Sequence, residues 1–219
     1  KEPKYLKVTK AHIDGTTYIG PGGLEFVTRL VNAGGKVRVP TTLNAVSADR
    51  RRWKRYGIEP AYALASMQIG NAYLGLGCEE SSFTCAPYLL PRHLPHLGEQ
   101  LVWGESNAVV YSNSVLGART EKYADYLDIC CAIVGKVPAA GIHVEENRKP
   151  GIVLDATQLL DDIWDMMLSE KENEDCESGN TTEAEFDLEL LFPALGHLCG
   201  TLSDGKVPIL LGFDDMSSS

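Results

Sequence analysis

The sequence predicts an α/β protein in which helices cover both faces of a mainly parallel sheet, a layered α/β/α arrangement. One observation is the repeated order strand, helix, strand along the chain, which implies parallel βαβ units. A second is that polar and ionisable side chains follow the predicted strands, where α/β sheets build their sites. A third is the length of 219 residues, which allows one large domain, or a domain and a half, with a sizeable core.

Composition and charge argue against two classes of partner. With 44% hydrophobic and 23% charged residues, the chain has the composition of a soluble globular protein. Of its net charge of −10, the segment 170–189 contributes −8, because nine acids there face one lysine, so the remainder carries −2. This acidic balance argues against nucleic-acid binding. No apolar run reaches the roughly 18 residues of a membrane helix, so we expect no membrane partner.

The cysteines and the first residue bear on the compartment and on the extent of the protein. Six cysteines in irregular positions, with no CxxC pair, do not form the pattern of a disulfide framework. They indicate a reducing compartment, and we expect a cytoplasmic protein. Because the chain begins with Lys1, we expect it to be part of a longer protein whose termini are missing.

The first predicted strand covers Leu6 to Ala11 and leads into His12-Ile13-Asp14-Gly15, read as a turn with two ionisable side chains. Two interpretations are open. The pair belongs to a site at a strand end, or Asp14-Gly15 is an ordinary turn and His12 a satisfied histidine. The residues alone favour the second interpretation.

A helix with one apolar face follows the glycines at 20–23 and ends at Gly34-Gly35. Lys36 to Pro40 then alternates apolar and basic residues, which predicts a strand. Its exit loop is Thr41-Thr42-Leu43-Asn44. Two hydroxyls and an amide there suit a small polar ligand, although Asx and Ser/Thr turns use the same residue types.

Five basic residues surround Trp53 between Asp49 and Arg55, in a predicted short helix capped near Ser47. We interpret this cluster as a solvated helix face in preference to an RNA or phosphate site. A second helix is predicted from Glu59 to Leu76, and a strand end at 82–84.

Cys85 follows that strand end on a proline-bounded loop. A lone cysteine is most often a small buried hydrophobe. It can also be a nucleophile paired with a histidine, or one ligand of a metal or cluster whose other ligands are distant. The spacing of the neighbouring residues does not choose among these three.

The segment Glu105-Ser106-Asn107 opens an apolar helix that ends at Gly117. Backbone N–H groups at a helix start favour an anion, and Arg119 suits a carboxylate held by two hydrogen bonds. Helix capping by Ser106 and a surface ion pair for Arg119 are the structural alternatives. Another helix is predicted from Tyr123 to Val134.

The last region predicts a strand at 152–154 and a helix at 161–168. Residues 169–185 are acidic and lack large apolar side chains, which predicts a disordered insertion. A helix from Leu188 to Leu198 and a strand from Val207 to Leu211 complete the alternation.

Five separated motifs in order resemble the large, catalytic portion of the aconitase X family. The resemblance is dense over residues 5–145 and looser beyond, and the acidic insertion is not part of it. The motifs are His12-Ile13-Asp14-Gly15, Val39-Pro40-Thr41-Thr42-Leu43-Asn44, Asp49-Arg50-Arg51-Arg52-Trp53, Thr84-Cys85-Ala86-Pro87-Tyr88, and the run from Glu105-Ser106-Asn107-Ala108 through 112–120.

The resemblance implies a hydro-lyase that dehydrates a small hydroxy acid, either cis-3-hydroxy-L-proline or, in another branch, mevalonate 5-phosphate. It also implies an iron or iron–sulfur centre held by three cysteines, of which Cys85 matches the first and the other two lie outside this chain. A small swivelling domain or subunit is expected as partner, so the fragment is expected to be inactive alone. The arginine–tryptophan run and the Glu105-Ser106-Asn107 turn resemble the hydroxyproline branch more closely.

The roles that follow from the resemblance are hypotheses for ten residues. A non-catalytic binding domain that retains the fold is the alternative from another class. The expected roles are catalytic for His12 and Asp14, substrate-binding for Thr41, Thr42, Asn44, Glu105, Ser106, Asn107 and Arg119, and metal-binding for Cys85.

Overall fold

The computed structural model describes residues 4–14, 18–163, 165 and 183–213. These residues belong to two compact units, 1–147 and 148–219. Most of the predicted acidic insertion, residues 169–182, lies outside the described residues, and residues 183–185 belong to a helix. Within the described ranges, no helix is both long and apolar enough to cross a bilayer.

The first unit alternates strands and helices as predicted. In chain order its elements are β1 (Tyr5–Lys7), β2 (Lys10–Ile13), α1 (Pro21–Asn32), β3 (Thr41–Leu43), α2 (Pro60–Gly75), β4 (Leu101–Trp103), α3 (Ser106–Ser114), α4 (Leu127–Val134) and β5 (Lys136–Pro138).

The central sheet is parallel, with strand order β3-β2-β4. Single parallel bridges extend it at both edges, from Leu43 to Phe83 beside β3 and from Gln100 to Arg119 beside β4. The chain therefore moves outward from β2 through β3 to Phe83, and returns across β2 to form β4. The connections that leave β2 and β4 run in opposite directions, so the topological switch point lies between these two strands.

Both faces of this sheet are covered, which confirms the predicted α/β class. Alternate strand residues point to opposite faces. One face contributes Ile13, Leu43 and Val102 to a core shared with α1, α2 and α4. The other face contributes Leu101 and Trp103 to a second cluster with α3.

Helix boundaries agree with the predicted signals where a cap is present. Glu59 caps α2, because its carboxylate accepts hydrogen bonds from the N–H groups of Ala61 and Tyr62. Gly34 follows α1 with φ of 78°, a left-handed conformation that favours glycine. The predicted helix 123–134 starts later, at Leu127, because Tyr126 precedes it in the left-handed region with φ of 66°.

Two predicted strands are placed differently. The strand expected from Leu6 to Ala11 is divided into β1, which pairs antiparallel with β5, and β2, which extends through His12 and Ile13. His12 therefore lies in a strand, not in a turn.

The strand predicted over Lys36 to Pro40 begins instead at Thr41. The N–H group of Val37 donates to the carbonyl of Leu76, which follows α2, and the N–H group of Arg38 donates to the carbonyl of Ala132 within α4. Neither N–H group is therefore available to pair with a strand. The predicted exit loop 41–43 is thus the strand β3.

The basic segment forms a series of turns over residues 50–57, and its cap is Asp49 instead of Ser47. The Asp49 carboxylate accepts hydrogen bonds from the N–H groups of Arg51 and Arg52 at 2.7 and 2.9 Å. These bonds lower the pKa of Asp49.

The second unit contains a parallel pair, β6 (Pro150–Asp155) and β7 (Val207–Leu211), and a helix α5 (Glu183–Ser203). Residues 157–163 are also helical. Both predicted strands are confirmed, and α5 extends beyond the predicted 188–198 at both ends.

Gly70→Ala should destabilise the first unit, because α2 approaches the loop after β3 closely at this glycine. A methyl group at position 70 would lie 2.5 Å from Val46 Cγ2. We expect a loss of about 1–3 kcal/mol in the free energy of unfolding, measured by urea denaturation. Gly75→Ala in the same helix is the matched control, since its methyl group meets Val31 at ordinary distances of 3.4 and 3.5 Å. Equal stabilities for the two variants would contradict the account.

Candidate active site

The carboxyl ends of β2, β3 and β4 bring four predicted residues together at the switch point. Thr42 lies in β3 and His12 in β2, Asn44 follows β3, and Glu105 follows β4. His12 and Thr42 are register partners on neighbouring strands, and His12 also pairs with Trp103 of β4. Polar residues of three strands therefore share one edge of the sheet.

A continuous chain of hydrogen bonds joins these four side chains. His12 Nδ1 lies 2.7 Å from Thr42 Oγ1, and His12 Nε2 lies 2.9 Å from Glu105 Oε2. Asn44 Nδ2 donates to the second Glu105 oxygen at 2.9 Å. The imidazole is fully buried, whereas the Glu105 side chain keeps 16% of its exposure. Glu105 is thus the acid that a ligand can reach, and His12 lies behind it. We call this set the carboxyl-edge chain.

The partners of His12 remain satisfied in two protonation states. In the neutral state, Nε2–H donates to the Glu105 carboxylate and Nδ1 accepts from the Thr42 hydroxyl. In the charged state, Nδ1–H donates to Thr42 Oγ1, whose hydroxyl turns to the Ala11 carbonyl at 3.4 Å. A proton can therefore be gained or lost at this edge without leaving a buried polar atom unpaired. This property suits proton transfer, and it also fits a satisfied core histidine.

Asp14 lies just beyond β2 and is held by one contact from the segment that leads into α4 and by another from α4 itself. Its carboxylate forms an ion pair with Lys122, which also donates to the Gly104 carbonyl at 2.7 Å. Its backbone N–H donates to Asp128 Oδ2 at 2.8 Å. Lys122 thus connects the loops that follow β2 and β4. Asp14 is engaged as a structural link at the site edge.

Asp128 is a buried acid that the sequence patterns did not indicate. Burial raises its pKa to about 7, and the neighbouring Asp14 and Asp125 carboxylates act in the same direction. Hydrogen bonds from the N–H groups of Asp14 and Ile129 oppose the shift but do not cancel it. A buried carboxyl group whose pKa lies near neutral pH therefore sits directly behind the end of β2.

Asp128→Asn should change how stability depends on pH. Because the folded pKa lies above the unfolded one, the stability that Asp128 contributes is complete below the unfolded pKa and is lost as the pH rises to about 7. Between pH 5 and pH 8 the wild type should lose about 2–3 kcal/mol that the variant does not lose. Urea unfolding at both pH values measures the difference. Glu146→Gln removes an exposed acid that does not act on Asp128, so it should retain the wild-type slope, and a wild-type slope in Asp128→Asn would contradict the assignment.

Cys85 is exposed and lines an open cleft of about 540 Å³ beside the carboxyl-edge chain. Asn44 belongs to both, because it lines the cleft and donates to Glu105. The loop at Cys85 is fixed by Asn107 of α3, whose Nδ2 donates to the Cys85 carbonyl at 3.0 Å and to the Tyr88 hydroxyl at 3.1 Å. The Cys85 loop is therefore attached to α3, the helix that begins directly after Glu105 of the carboxyl-edge chain.

The donors for a metal are incomplete in the described residues. They contain no group of three or more His, Cys, Asp or Glu side chains arranged to hold a metal ion. Cys85 has the exposure that a thiolate ligand needs, so it fits as one ligand of a centre whose other ligands come from elsewhere. An iron or iron–sulfur centre is compatible with this chain only on that condition.

Besides Asn107, which holds the Cys85 loop, three predicted substrate-binding residues do not join the chain of hydrogen bonds. Thr41 points to the opposite face of β3, and its hydroxyl donates to the Val39 carbonyl at 2.8 Å. Ser106 is exposed at the start of α3, and none of the hydrogen bonds of the carboxyl-edge chain involves its side chain. Arg119 forms a parallel β-bridge with Gln100, the residue directly before β4, and an ion pair with Glu145. It therefore lies at the amino edge of the sheet, opposite to Glu105, and its substrate-binding role stays a prediction.

The cleft is also lined by Arg50, for which the sequence pattern predicts a place on a solvated helix face. The sequence signal for Arg50 is its place in a motif shared with a known family, in the connection that follows a strand with polar residues at its end. Lys122 and Asp128 had no comparable signal, because their partners are more than a hundred residues away in sequence.

A parallel sheet whose switch point gathers a histidine, a carboxylate and an amide beside an open cleft defines an α/β protein with a candidate site at the carboxyl edge of its sheet. A family model described as the aconitase X first domain matches residues 2–146, which is the first unit to within one residue. The chain belongs to the aconitase X family.

Relatives and a solved structure agree with this assignment. A Pseudomonas aeruginosa protein named cis-3-hydroxy-L-proline dehydratase is 43% identical over 95% of this chain and 31% of its own length. A Hypocrea jecorina protein of the same name is 38% identical over 99% of this chain and 32% of its own length. The chain thus spans about a third of these relatives.

The other branch is also represented. A Methanothermobacter thermautotrophicus protein named phosphomevalonate dehydratase large subunit is 36% identical over 69% of this chain and 38% of its own length. The crystal structure of Thermococcus kodakaraensis aconitase X in its holo-form superposes with a TM-score of 0.58 at 37% identity. The superposition covers 69% of this chain and 37% of the Thermococcus chain.

Proposed function

We propose that the full-length protein is a hydro-lyase that converts cis-3-hydroxy-L-proline to pyrroline-2-carboxylate. The observation that carries the proposal is the carboxyl-edge chain, in which a reachable carboxylate is backed by a histidine with two satisfied protonation states. The dehydratases of that name among the relatives, at 43% and 38% identity, support the choice of substrate.

The reaction needs a base for a weakly acidic proton and a means of removing a poor leaving group. The C2–H bond breaks, its electron pair forms the C2=C3 bond, and the C3–O bond breaks so that the hydroxyl leaves as water. The enamine then gains a proton at C3 and loses the N–H proton to give the C=N product. In the cis substrate the hydroxyl and the C2 hydrogen lie on opposite ring faces, so the elimination is anti. Two separate groups must therefore flank the ring.

In this proposal Glu105 accepts the C2 proton, since it is the reachable acid of the carboxyl-edge chain. His12 stabilises the carboxylate through Nε2–H and can accept charge because Thr42 and Ala11 adapt to its second protonation state. Asn44 fixes the other Glu105 oxygen and lines the cleft where the ring would lie. Asp14 keeps a positioning role, through Lys122.

Cys85 would hold an iron or iron–sulfur centre together with ligands from outside this chain. Such a centre supplies a Lewis acid that stabilises the departing hydroxyl. We also propose a small domain or subunit as partner, which the name "large subunit" of the phosphomevalonate relative supports, and a cytoplasmic location.

Dehydration of mevalonate 5-phosphate is the second candidate, favoured by the relatives of that name. Turnover of both substrates by the full-length protein, purified anaerobically, separates the two. We expect loss of cis-3-hydroxy-L-proline with appearance of pyrroline-2-carboxylate and no turnover of mevalonate 5-phosphate. Turnover of the phosphate alone would select the second function, and turnover of neither by iron-loaded protein would refute both.

A further inference from the structure

We infer that Arg50 is the residue that binds the carboxylate of the ligand in the Cys85 cleft. For the physiological substrate this inference rests on the proposed function. The sequence predicts this role for Arg119, but Arg119 lies at the opposite edge of the sheet and pairs with Glu145.

Arg50 lines the same cleft as Asn44, Thr84 and Cys85. These side chains offer an amide, a hydroxyl and a thiol around one cation. A ligand of one small ring with one carboxylate matches a cleft of about 540 Å³ that contains one arginine. Glu80 lines the cleft too, yet among the described residues no carboxylate forms an ion pair with Arg50. The positive charge of Arg50 is therefore available to a ligand.

The guanidinium is held in place from two sides. Its central carbon lies 4.9 Å from the centroid of the Phe83 ring, a cation–π contact. One terminal nitrogen donates to Asn71 Oδ1 of α2 at 3.2 Å. The turn that carries Arg50 is fixed by the Asp49 hydrogen bonds to the next two residues. An arginine oriented in advance loses little conformational entropy when a carboxylate binds.

The neighbouring arginine provides a matched control. Arg51 is exposed on the same turn, carries the same charge and does not line the cleft. Arg50→Met and Arg51→Met therefore remove equal charge from inside and beside the cleft. Arg50→Lys retains the charge but lacks the planar pair of donors.

The first test uses Cys85 as a reporter and does not depend on turnover. Iron-depleted full-length protein, with unchanged circular dichroism, is alkylated with iodoacetate or with neutral iodoacetamide, and modification at Cys85 is followed by mass spectrometry. Both reagents need the thiolate, so the ratio of their rates cancels any change in thiol ionisation and reports attraction of a carboxylate. Arg50→Met should lower this ratio about three- to tenfold, as expected for a nearby charge in a solvated cleft. Arg51→Met should leave it unchanged.

Protection extends the test to ligand identity. L-proline should slow the alkylation of Cys85 in the wild type and not in Arg50→Met, whereas L-prolinamide should not protect either protein. An unchanged ratio in Arg50→Met, an equal loss in Arg51→Met, or protection by inorganic phosphate without protection by L-proline would overturn the inference.

The second test measures turnover of cis-3-hydroxy-L-proline. Arg50→Met should lower kcat/KM about 100-fold, mainly through KM, because a charge-assisted pair of hydrogen bonds to the substrate is lost. Arg50→Lys should recover part of the loss, and Arg51→Met should stay within about twofold. If the wild type fails to react with this substrate, the proposed function is refuted, while the alkylation ratio still decides the role of Arg50.

Discussion

Glu105→Gln in the full-length protein should lower kcat for cis-3-hydroxy-L-proline by about 10³-fold while the fold and the thermal midpoint stay close to the wild type. The variant loses the base but keeps the shape and the hydrogen bond from Asn44. His12 can adapt, because Nε2 then accepts from the new amide and Nδ1–H donates to Thr42, which turns to Ala11. Steady-state kinetics and thermal unfolding on the same preparation separate catalysis from stability.

Glu145→Gln is the control for Glu105→Gln. Glu145 also loses an ion pair on substitution, with Arg119, but it lies at the amino edge of the sheet. We expect kcat within about twofold of the wild type. A Glu105→Gln enzyme that keeps more than a tenth of wild-type kcat would remove Glu105 from the role of base.

Cys85→Ser should abolish turnover, with a loss of at least about 10³-fold, together with loss of bound iron. The fold should persist, because Cys85 is exposed on a loop that Asn107 holds through the backbone carbonyl. Iron content by elemental analysis and kcat are measured on anaerobically purified full-length protein. Serine is a poor ligand where a thiolate is required, so both quantities should fall together.

Cys130→Ser is the matched control, since Cys130 lies half-buried in α4 and does not line the cleft. It should retain wild-type iron and activity. Full iron occupancy with full activity in Cys85→Ser would contradict the assignment of Cys85 as a ligand.

The sequence predicted the class of fold and part of the candidate site because both depend on the alternation of strands and helices along the chain. His12, Thr42, Asn44 and Glu105 lie at or just beyond strand ends, and carboxyl ends of parallel strands meet at one edge whatever the exact boundaries. That geometry tolerates an error of several residues, as the displacement of β3 demonstrates. It does not tolerate a shift of one residue, because such a shift turns each side chain to the other face of the sheet. For this reason Thr42 joins the carboxyl-edge chain and Thr41 does not.

Other features depended on long-range contacts. Arg119 is twelve residues from Asn107 in sequence, yet the chain returns through α3 to the amino edge before it reaches Arg119. In the sequence Arg50 is one of several predicted surface cations, whereas in the structure it lines the cleft and contacts Phe83 and Asn71. The iron-ligand role of Cys85 stays a prediction, and the predicted disorder of residues 169–182 falls outside the described residues.

The most direct test of the proton-transfer role of the carboxyl-edge chain follows a deuterium label at C2 of cis-3-hydroxy-L-proline. With the wild-type full-length enzyme, we predict that the label appears in solvent as product forms, with a primary isotope effect on kcat/KM. We also predict that Glu105→Gln suppresses the release of label in step with turnover. Product that retains the deuterium, or wild-type label release by Glu105→Gln, would contradict the account.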